Sequence, residues 1–582
     1  MLANLVPNMC PHIWPKVCRC WKGMVIKMIN GFLYAKGKKI YNENGEEILL
    51  KGWGLGNWML QEGYMWSADS ERFDRPRRIE QVVEQLAGKE YADAFWVKFR
   101  ENYITKSDIL KMAELGYNSV RIPFMYRLFM EDGPGIRYKE EGLRLLDNCL
   151  SWCEEAGIYA FLDLHGAPGG QTGANIDDCI DNVPRLFIDS DSWDKAIDLW
   201  KTLAERYKDR AVVGGYDLLN EPIAPPNAGN GNFDYLIPKL TLFYEHAIAE
   251  IRKIDQKHMF SIEGAHWAAD LSIFTKKFDE NMLLHFHRYA EIPDIKCLKK
   301  YIDKSNELDV ALWLGESGEN INEWYAAIYP LAESAGIGYN LWPWKKMDCT
   351  NSPYSVNRPK DYQKVLDYIG GGVHPGFGAA QRIFDEYLEN CKLDNCTEHL
   401  DVTHHVLRRA PFSMRASDFD EYPGRGTSFS GCSAENAEIS YRSGCGMKLV
   451  ELEAAKEKRC VFDCQWDRYG VILSKSEFAC YTVEPGQEVR LKLKFAKGYS
   501  GGILGVGRTD DSSLKEFEVK PECTKLEVRL SDACGAVKII SLKGTVCLEK
   551  LEFLSEFNRA EPVIYNAPDT PPVTFPHISE IP

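Results

Sequence analysis

The stretch VVGGYDLLNEP (residues 212–222) is an apolar run that ends on two polar side chains, Asn220 and Glu221. A run apolar on both faces suits a strand covered by helices on each side of a parallel sheet. Seven further runs of this kind flank it: ILLKGWGLGNW (48–58), NSVRIPF (118–124), YAFLDLHG (159–166), MFSIEG (259–264), MLLHFHRY (282–289), VALWLGE (310–316) and GYNLWPW (338–344). Amphipathic stretches separate most of them. Thr105 and Asp108 have capping-box spacing. Leu143, Leu146, Leu150 and Cys153 form one stripe, with Gly157 placed to end the helix. Trp193, Ala196, Ile197, Trp200, Leu203, Ala204 and Tyr207 keep the helical period, and QRIFDEYLENCK (381–392) reads as the last helix. Eight strand–helix alternations predict an α/β fold, a (β/α)8 TIM barrel. A doubly wound sheet is the runner-up, but no GxGxxG phosphate turn follows the first strand.

The 582 residues exceed what one hydrophobic core serves, so a second domain is expected. From about residue 410 the pattern alternates with period 2: Val489, Leu491, Leu493 and Phe495 share one face, and Leu526, Val528 and Leu530 another. With turn signals at Pro485-Gly486 and Gly501-Gly502, this predicts an antiparallel β-sandwich. The expected organisation is an N-terminal extension (1–27), the barrel (28–395), a linker (396–409), the sandwich (410–555) and a Pro-rich tail (556–582). MINGFLYAKGKKIYNENGEEILLKG, from Met28, reads as a first hairpin turning at Asn44-Gly45.

A net charge of −15 argues against nucleic-acid and anionic-membrane partners, which need a basic surface, and favours a neutral ligand. No apolar run reaches the length of a membrane span. Residues 1–24 are broken by Pro7, Pro11 and Pro15 and make a poor signal peptide, so the cytoplasm is expected. The 18 cysteines then read as reduced thiols, without zinc-site spacing.

Function in such a barrel gathers at the C-terminal strand ends. Those positions carry Arg121, Asp163 and His165, Asn220 and Glu221, Glu263, His287 and Tyr289, Glu316, then Trp342 and Trp344. Strands four and seven lie nearly opposite, so Glu221 and Glu316 face one mouth. A carboxylate pair suits glycoside hydrolysis, where one acid protonates the leaving oxygen and the other attacks or stabilises an oxocarbenium-like centre. Taken singly, a strand-end Glu is more often a surface or capping residue, a His a satisfied structural one, and a Trp core. Physical chemistry alone does not choose among Asp163, Glu221, Glu263 and Glu316.

At these residues the chain resembles glycoside hydrolase family 5 over about residues 48–390, through several ordered motifs. LLNEP (218–222) is similar to its Asn-Glu-Pro signature, which implies Glu221 as acid/base and Asn220 as a donor to the sugar 2-hydroxyl. WLGESG (313–318) implies Glu316 as nucleophile, NSVRIPF implies Arg121 as its support, and HRY (287–289) supplies His287 and places Tyr289 beside the nucleophile. NLWPWKK implies Trp342 under the sugar. DLHGAPGGQTG (163–173), with His165, and GLGNWMLQE (54–62) are similar to stretches of exo-β-1,3-glucanases. There Glu62 falls where a glutamate holds the terminal glucose. The sequence departs from them at Asn57, at Gln61 and in the insert 63–104. The resemblance implies a retaining β-glycoside hydrolase, exo-acting on β-glucosides or short β-glucans. The alternatives are an endo-acting β-glucanase or mannanase and, from another class, a non-catalytic carbohydrate-binding protein. No metal and no organic cofactor is implied, because two carboxylates supply the chemistry. The C-terminal region is similar to β-sandwich carbohydrate-binding modules. Trp466, Tyr469 and Tyr481 are its candidate platforms, with sandwich core as the competing role.

Overall fold

In a computed structural model, the described residues are 29–228, 231–431, 439–484, 489–511, 513–530 and 535–555. The proposed extension 1–27, the tail 556–582 and the Pro485-Gly486 turn lie outside them.

The chain opens with β1 (Tyr34–Lys36) and β2 (Lys39–Tyr41), paired antiparallel with Lys36 opposite Lys39. The hairpin therefore turns at Gly37-Lys38, not at Asn44-Gly45. Gly37, at φ +59, supplies the left-handed position a two-residue turn needs. Asn44-Gly45 makes a second turn, which returns the chain from Tyr41 to a lone bridge at Glu47.

The barrel is closed and parallel, in the order β3 (Lys51–Gly54), β4 (Ser119–Met125), β5 (Tyr159–Gly166), β6 (Val213–Asp217), β7 (Met259–Glu263), β8 (Met282–Arg288), β9 (Ala311–Gly318) and β10 (Gly338–Trp342), which pairs back to β3. Six of the strands fall inside one of the eight apolar runs, while β4 extends one residue past its run and β9 two. The helices between them follow the expected spacing. Asp108 accepts from the Thr105 backbone N–H at 2.8 Å to start one, and Gly157 ends another at φ +70.

The bottom of the barrel is a plug of apolar side chains. Phe161 of β5 and Trp313 of β9 come from non-adjacent strands, yet their rings are 4.6 Å apart, so both point inward. Leu33 and Ile40 of the hairpin cap this plug from below. The interior is a packed core with its working face at the other end.

Insert 63–104 folds into two helices, Pro76–Ala87 and Lys89–Tyr103. They bury Trp66 among Phe73, Phe95, Phe99 and Tyr387, against helix Phe377–Asn390. Residues 396–409, read as a linker, contain helix Leu400–Val406, which buries Val402 and Val406.

The C-terminal region is antiparallel sheet. One strand, Ala536–Ser555, runs through both halves. Its later part, 546–555, pairs with Phe412–Arg415, Tyr469–Leu473 and Val489–Phe495, and its earlier part, 536–545, with Phe478–Thr482 and Gly501–Arg508. Val489, Leu491, Leu493 and Phe495 are all buried. Gly501-Gly502 opens a strand and makes no turn. A Cβ on Gly502 would meet the Lys543 carbonyl at 1.7 Å, so glycine there serves close approach. Trp466, Tyr469 and Tyr481 are 1%, 4% and 0% exposed, which makes them core and not platforms. The described cysteines are free thiols.

Candidate active site

Three local irregularities aim the side chains at the barrel mouth. The first is a bulge in β9. Phe286 pairs with Leu314, but His287 pairs with Glu316, so Gly315 is an extra residue. Strand alternation would turn Glu316 outward, since Trp313 points in; the bulge turns it back inward. Gly315 is glycine for a second reason, because a Cβ there would lie 2.0 Å from His285 Nε2. The second is the turn after β6, where Glu221 and Ile223 take φ +44 and +54. Such backbone costs about 1–3 kcal/mol per residue and persists only where surroundings impose it. Here Glu263 Oε2 accepts from the Glu221 N–H at 2.7 Å, and the Gln171 carbonyl accepts from the Ile223 N–H at 2.9 Å. The third is Gly54, whose missing Cβ leaves room for the Trp342 ring, 2.4 Å from where that atom would be.

Arg121 organises the centre from a fully buried position. Its guanidinium donates to Glu316 at 2.6 Å, Asp217 at 2.7 Å, Asn220 Oδ1 at 2.8 Å and Glu263 at 3.1 Å, and pairs with Asp163 at 3.2 Å. The four strand-end acids left open by the sequence now separate. Asp163 and Glu263 lie beneath the cavity around Arg121, with no exposed surface. Glu221 and Glu316 line it. One carboxylate oxygen of each, together with a ring nitrogen of His287, fits within 4.8 Å. Tyr289 Oη donates to the second Glu316 oxygen at 2.6 Å, so both oxygens of that carboxylate are held.

The protonation pattern follows from burial and charge. Burial raises the Glu221 pKa above the usual carboxylate value, and the nearby Glu316 and Glu263 add to this against the opposing pull of His287. Burial alone would lower His287. The charges of Glu263 and Glu316 and its hydrogen bond to Glu221 outweigh that and hold it well above the ordinary imidazole range. Doubly protonated, His287 donates from Nδ1 to Glu221 at 2.6 Å and from Nε2 to His285 Nε2 at 3.0 Å. His165 is pushed down to about 4, first by burial and then by Arg121. Neutral, it donates from Nδ1 to Asp163 at 2.8 Å and accepts from the Asn220 amide at Nε2, which fixes that amide's orientation.

The cavity measures about 1060 Å³. The Trp342 indole lies flat on His165, rings 5.3 Å apart and 9° from parallel, and forms a floor. At one end Trp342 Nε1 donates to Tyr64 Oη at 2.9 Å, Tyr64 donates to Glu319 at 3.4 Å, and Lys346 pairs with Glu319. Glu62 stands there with one oxygen unpartnered. Burial, then the charges of Glu316, Glu319 and Glu221, raise its pKa well above normal, so it is a neutral acid able to donate a hydrogen bond.

All nine residues singled out from the sequence thus converge. Glu62, His165, Asn220, Glu221, His287, Tyr289, Glu316 and Trp342 line the cavity, and Arg121 lies directly beneath. Trp344 is core. Asp217, His285, Tyr64, Glu319 and Lys346 went unnoticed. His285 and Asp217 carried a faint signal, as polar residues within apolar runs. Glu263, His285 and His287 have metal-ligand spacing, as do Glu221, His287 and Glu316. Both sets share His287, whose ring nitrogens are hydrogen-bonded to Glu221 and His285 in this arrangement.

Residues 79–348 match the family model described as cellulase (glycosyl hydrolase family 5). Among curated relatives, a β-xylosidase of Phanerodontia chrysosporium is 33% identical over 44% of this chain and 52% of its own length. A probable glucan 1,3-beta-glucosidase A of Aspergillus clavatus is 28% identical over 42% and 57%. The chain thus spans about half the length of these two. Endoglucanase C of Acetivibrio thermocellus is 27% identical over 49% of this chain and 94% of its own length. Through its barrel domain the chain is thus similar to glycosyl hydrolase family 5, over residues 79–348.

Proposed function

We propose that the chain is a retaining β-glycoside hydrolase, exo-acting on β-glucosides or short β-glucans. One observation carries the reading: Glu221 and Glu316 face each other across the cavity, with one carboxylate oxygen of each and a ring nitrogen of His287 inside a span of 4.8 Å. Retaining enzymes hold their two carboxyl groups about 5–5.5 Å apart, whereas inverting ones leave about 6.5–9.5 Å for a water.

Glu316, held by Arg121 and Tyr289, attacks the anomeric carbon while Glu221, kept protonated by burial, gives its proton to the leaving oxygen. The proton loss leaves Glu221 as a carboxylate beside the His287 imidazolium, which stabilises it. Glu221 then takes a proton from water, and the resulting hydroxide-like oxygen releases the sugar from Glu316. Asn220, fixed by Arg121 and His165, donates toward the sugar beside this bond.

Support for exo action comes from Glu62, Tyr64 and the Lys346–Glu319 pair, which stand together at the Trp342 end of the cavity. The endo reading draws its support from the endoglucanase relative, matched over most of its length. The relatives named for xylosidase and glucosidase activity put both sugars in the test.

The experiment follows hydrolysis of aryl β-glucoside, aryl β-xyloside and short β-glucans by NMR. Early appearance of the β-anomer of a free monosaccharide is the expected result. The α-anomer first would overturn retention, shortened oligomers without monosaccharide would overturn exo action, and no cleavage would overturn the hydrolase reading.

A further inference from the structure

The cavity wall is not built by the barrel alone. Segment 458–468, which belongs to the C-terminal sheet region, reaches over the barrel mouth and contributes Val461, Phe462 and Cys464 to the lining. The Phe462 ring lies 5.0 Å from that of Tyr289, the residue that holds Glu316. The Phe462 carbonyl accepts from Asn320 Nδ2 at 2.8 Å, and the same amide donates to the Tyr289 carbonyl at 3.0 Å. Cys464 Sγ donates to the Glu291 carbonyl at 3.2 Å. Behind these contacts, Arg459 pairs with Asp463 and Asp467, both at 2.8 Å, and Trp466 is anchored in the core through Asp418. The segment is tied down on both sides, so it is a fixed wall.

A second feature faces the same space. After β7, His266, Trp267 and Ala268 take φ +56, +56 and +58, one turn of left-handed helix without a glycine. Such a turn costs about 1–2 kcal/mol per residue. It sets Trp267 into the cavity with its indole N–H unpartnered. The His266 N–H is bonded to the Ile223 carbonyl at 2.8 Å, so this turn adjoins the one that carries Glu221. If Glu221 protonates the leaving oxygen, Trp267 stands on the leaving-group side.

We propose that segment 458–468 completes the leaving-group half of the pocket and that Phe462, with Trp267, selects β-glycosides of apolar alcohols over longer sugar chains. This rests on the hydrolase reading above. Polar groups of Asn175, Asp270, Arg288, Glu291 and Lys300 also line the cavity, and beside them Ile176, Pro225, Pro226 and Val461 extend the apolar face of Phe462 and Trp267. An apolar leaving group gains by burial against such a surface.

The test uses the full chain and two substrates of whichever β-sugar the aryl panel identifies: the octyl glycoside and the glycosyl fluoride, which has almost no leaving group to bind. Phe462→Ala should lower kcat/KM for the octyl glycoside at least about tenfold more than for the fluoride. Val461→Lys, a change outside either core, should shift the ratio in the same direction. Equal losses on both substrates would make the segment a brace and overturn the proposal. So would a wild-type preference for oligosaccharides over the octyl glycoside. A wild type that cleaves neither substrate would overturn the hydrolase reading first, and this inference with it.

Discussion

Two buried acids in one cavity ask different things of their surroundings. Glu316 raises the Glu221 pKa by its charge, so Glu316→Gln should lower it, and carboxyl-selective carbon NMR with labelled glutamate would read the change. An unchanged or raised value would contradict the coupling. Glu62 makes the opposite kind of prediction, about stability. Its folded pKa is raised, so its contribution is full below the unfolded value near 4.5 and is lost as pH rises toward the folded one. Glu62→Gln should therefore match the wild type in Tm near pH 4 and exceed it increasingly above pH 5, while losing activity. A Tm difference independent of pH would mean that burial does not neutralise this acid. Single residues were readable in the sequence where they closed an apolar run, as Asn220 and Glu221 do. Tyr64, Glu319 and Lys346 were not, because they sit in a short helical turn, a loop and a three-residue strand after the barrel strands, whose paths depend on contacts far along the chain. Trp267 was hidden for a further reason, since its exposure to the cavity depends on left-handed backbone that no side-chain pattern announces.

The eight strands were readable because a strand covered on both faces must be apolar throughout. What the runs did not show is where strand regularity fails, and those failures aim the chemistry. The β9 bulge adds a single residue and leaves the hydrophobic pattern of 310–316 intact, yet it decides which way Glu316 points. Gly315→Ala should force a methyl against the His285 ring and cost about 1–3 kcal/mol of stability. Its activity should fall more than that loss explains, because His285 also supports His287. Thermal unfolding together with kcat would show this; a variant with wild-type kcat would deny the bulge its role. The first hairpin teaches a related lesson. Asn-Gly is a strong turn signal, and a turn does form there, but the Gly37-Lys38 turn upstream sets the register because it pairs Leu33 and Ile40 with the barrel plug. Gly501-Gly502 failed as a turn signal because glycine serves close strand approach equally well.

Within the barrel, the buried charges around Arg121 lie at the C-terminal ends of the strands. The lower barrel is closed by apolar rings and the hairpin, and the upper end holds one arginine among four carboxylates. That arrangement is costly to desolvate and is held by mutual hydrogen bonds, so it stands as a site and not as a source of stability. The sheet domain was readable as a domain, from period-2 alternation. Its aromatic residues were not assignable, since Trp466, Tyr469 and Tyr481 serve a core as well as a binding face. Its contact with the catalytic cavity runs through an irregular segment with no periodicity at all. No helix among the described residues is long and apolar enough to cross a membrane. The central claim is that Glu316 forms the covalent bond to the sugar. A 2-deoxy-2-fluoro β-glycoside with an activated leaving group slows release of that intermediate and lets it accumulate, so peptide mapping by mass spectrometry would locate it. The expected result is one fluoroglycosyl group per chain on the peptide containing Glu316, with a burst of one leaving group. A label on Glu62, Glu221 or Glu319, or steady turnover with none, would contradict the account.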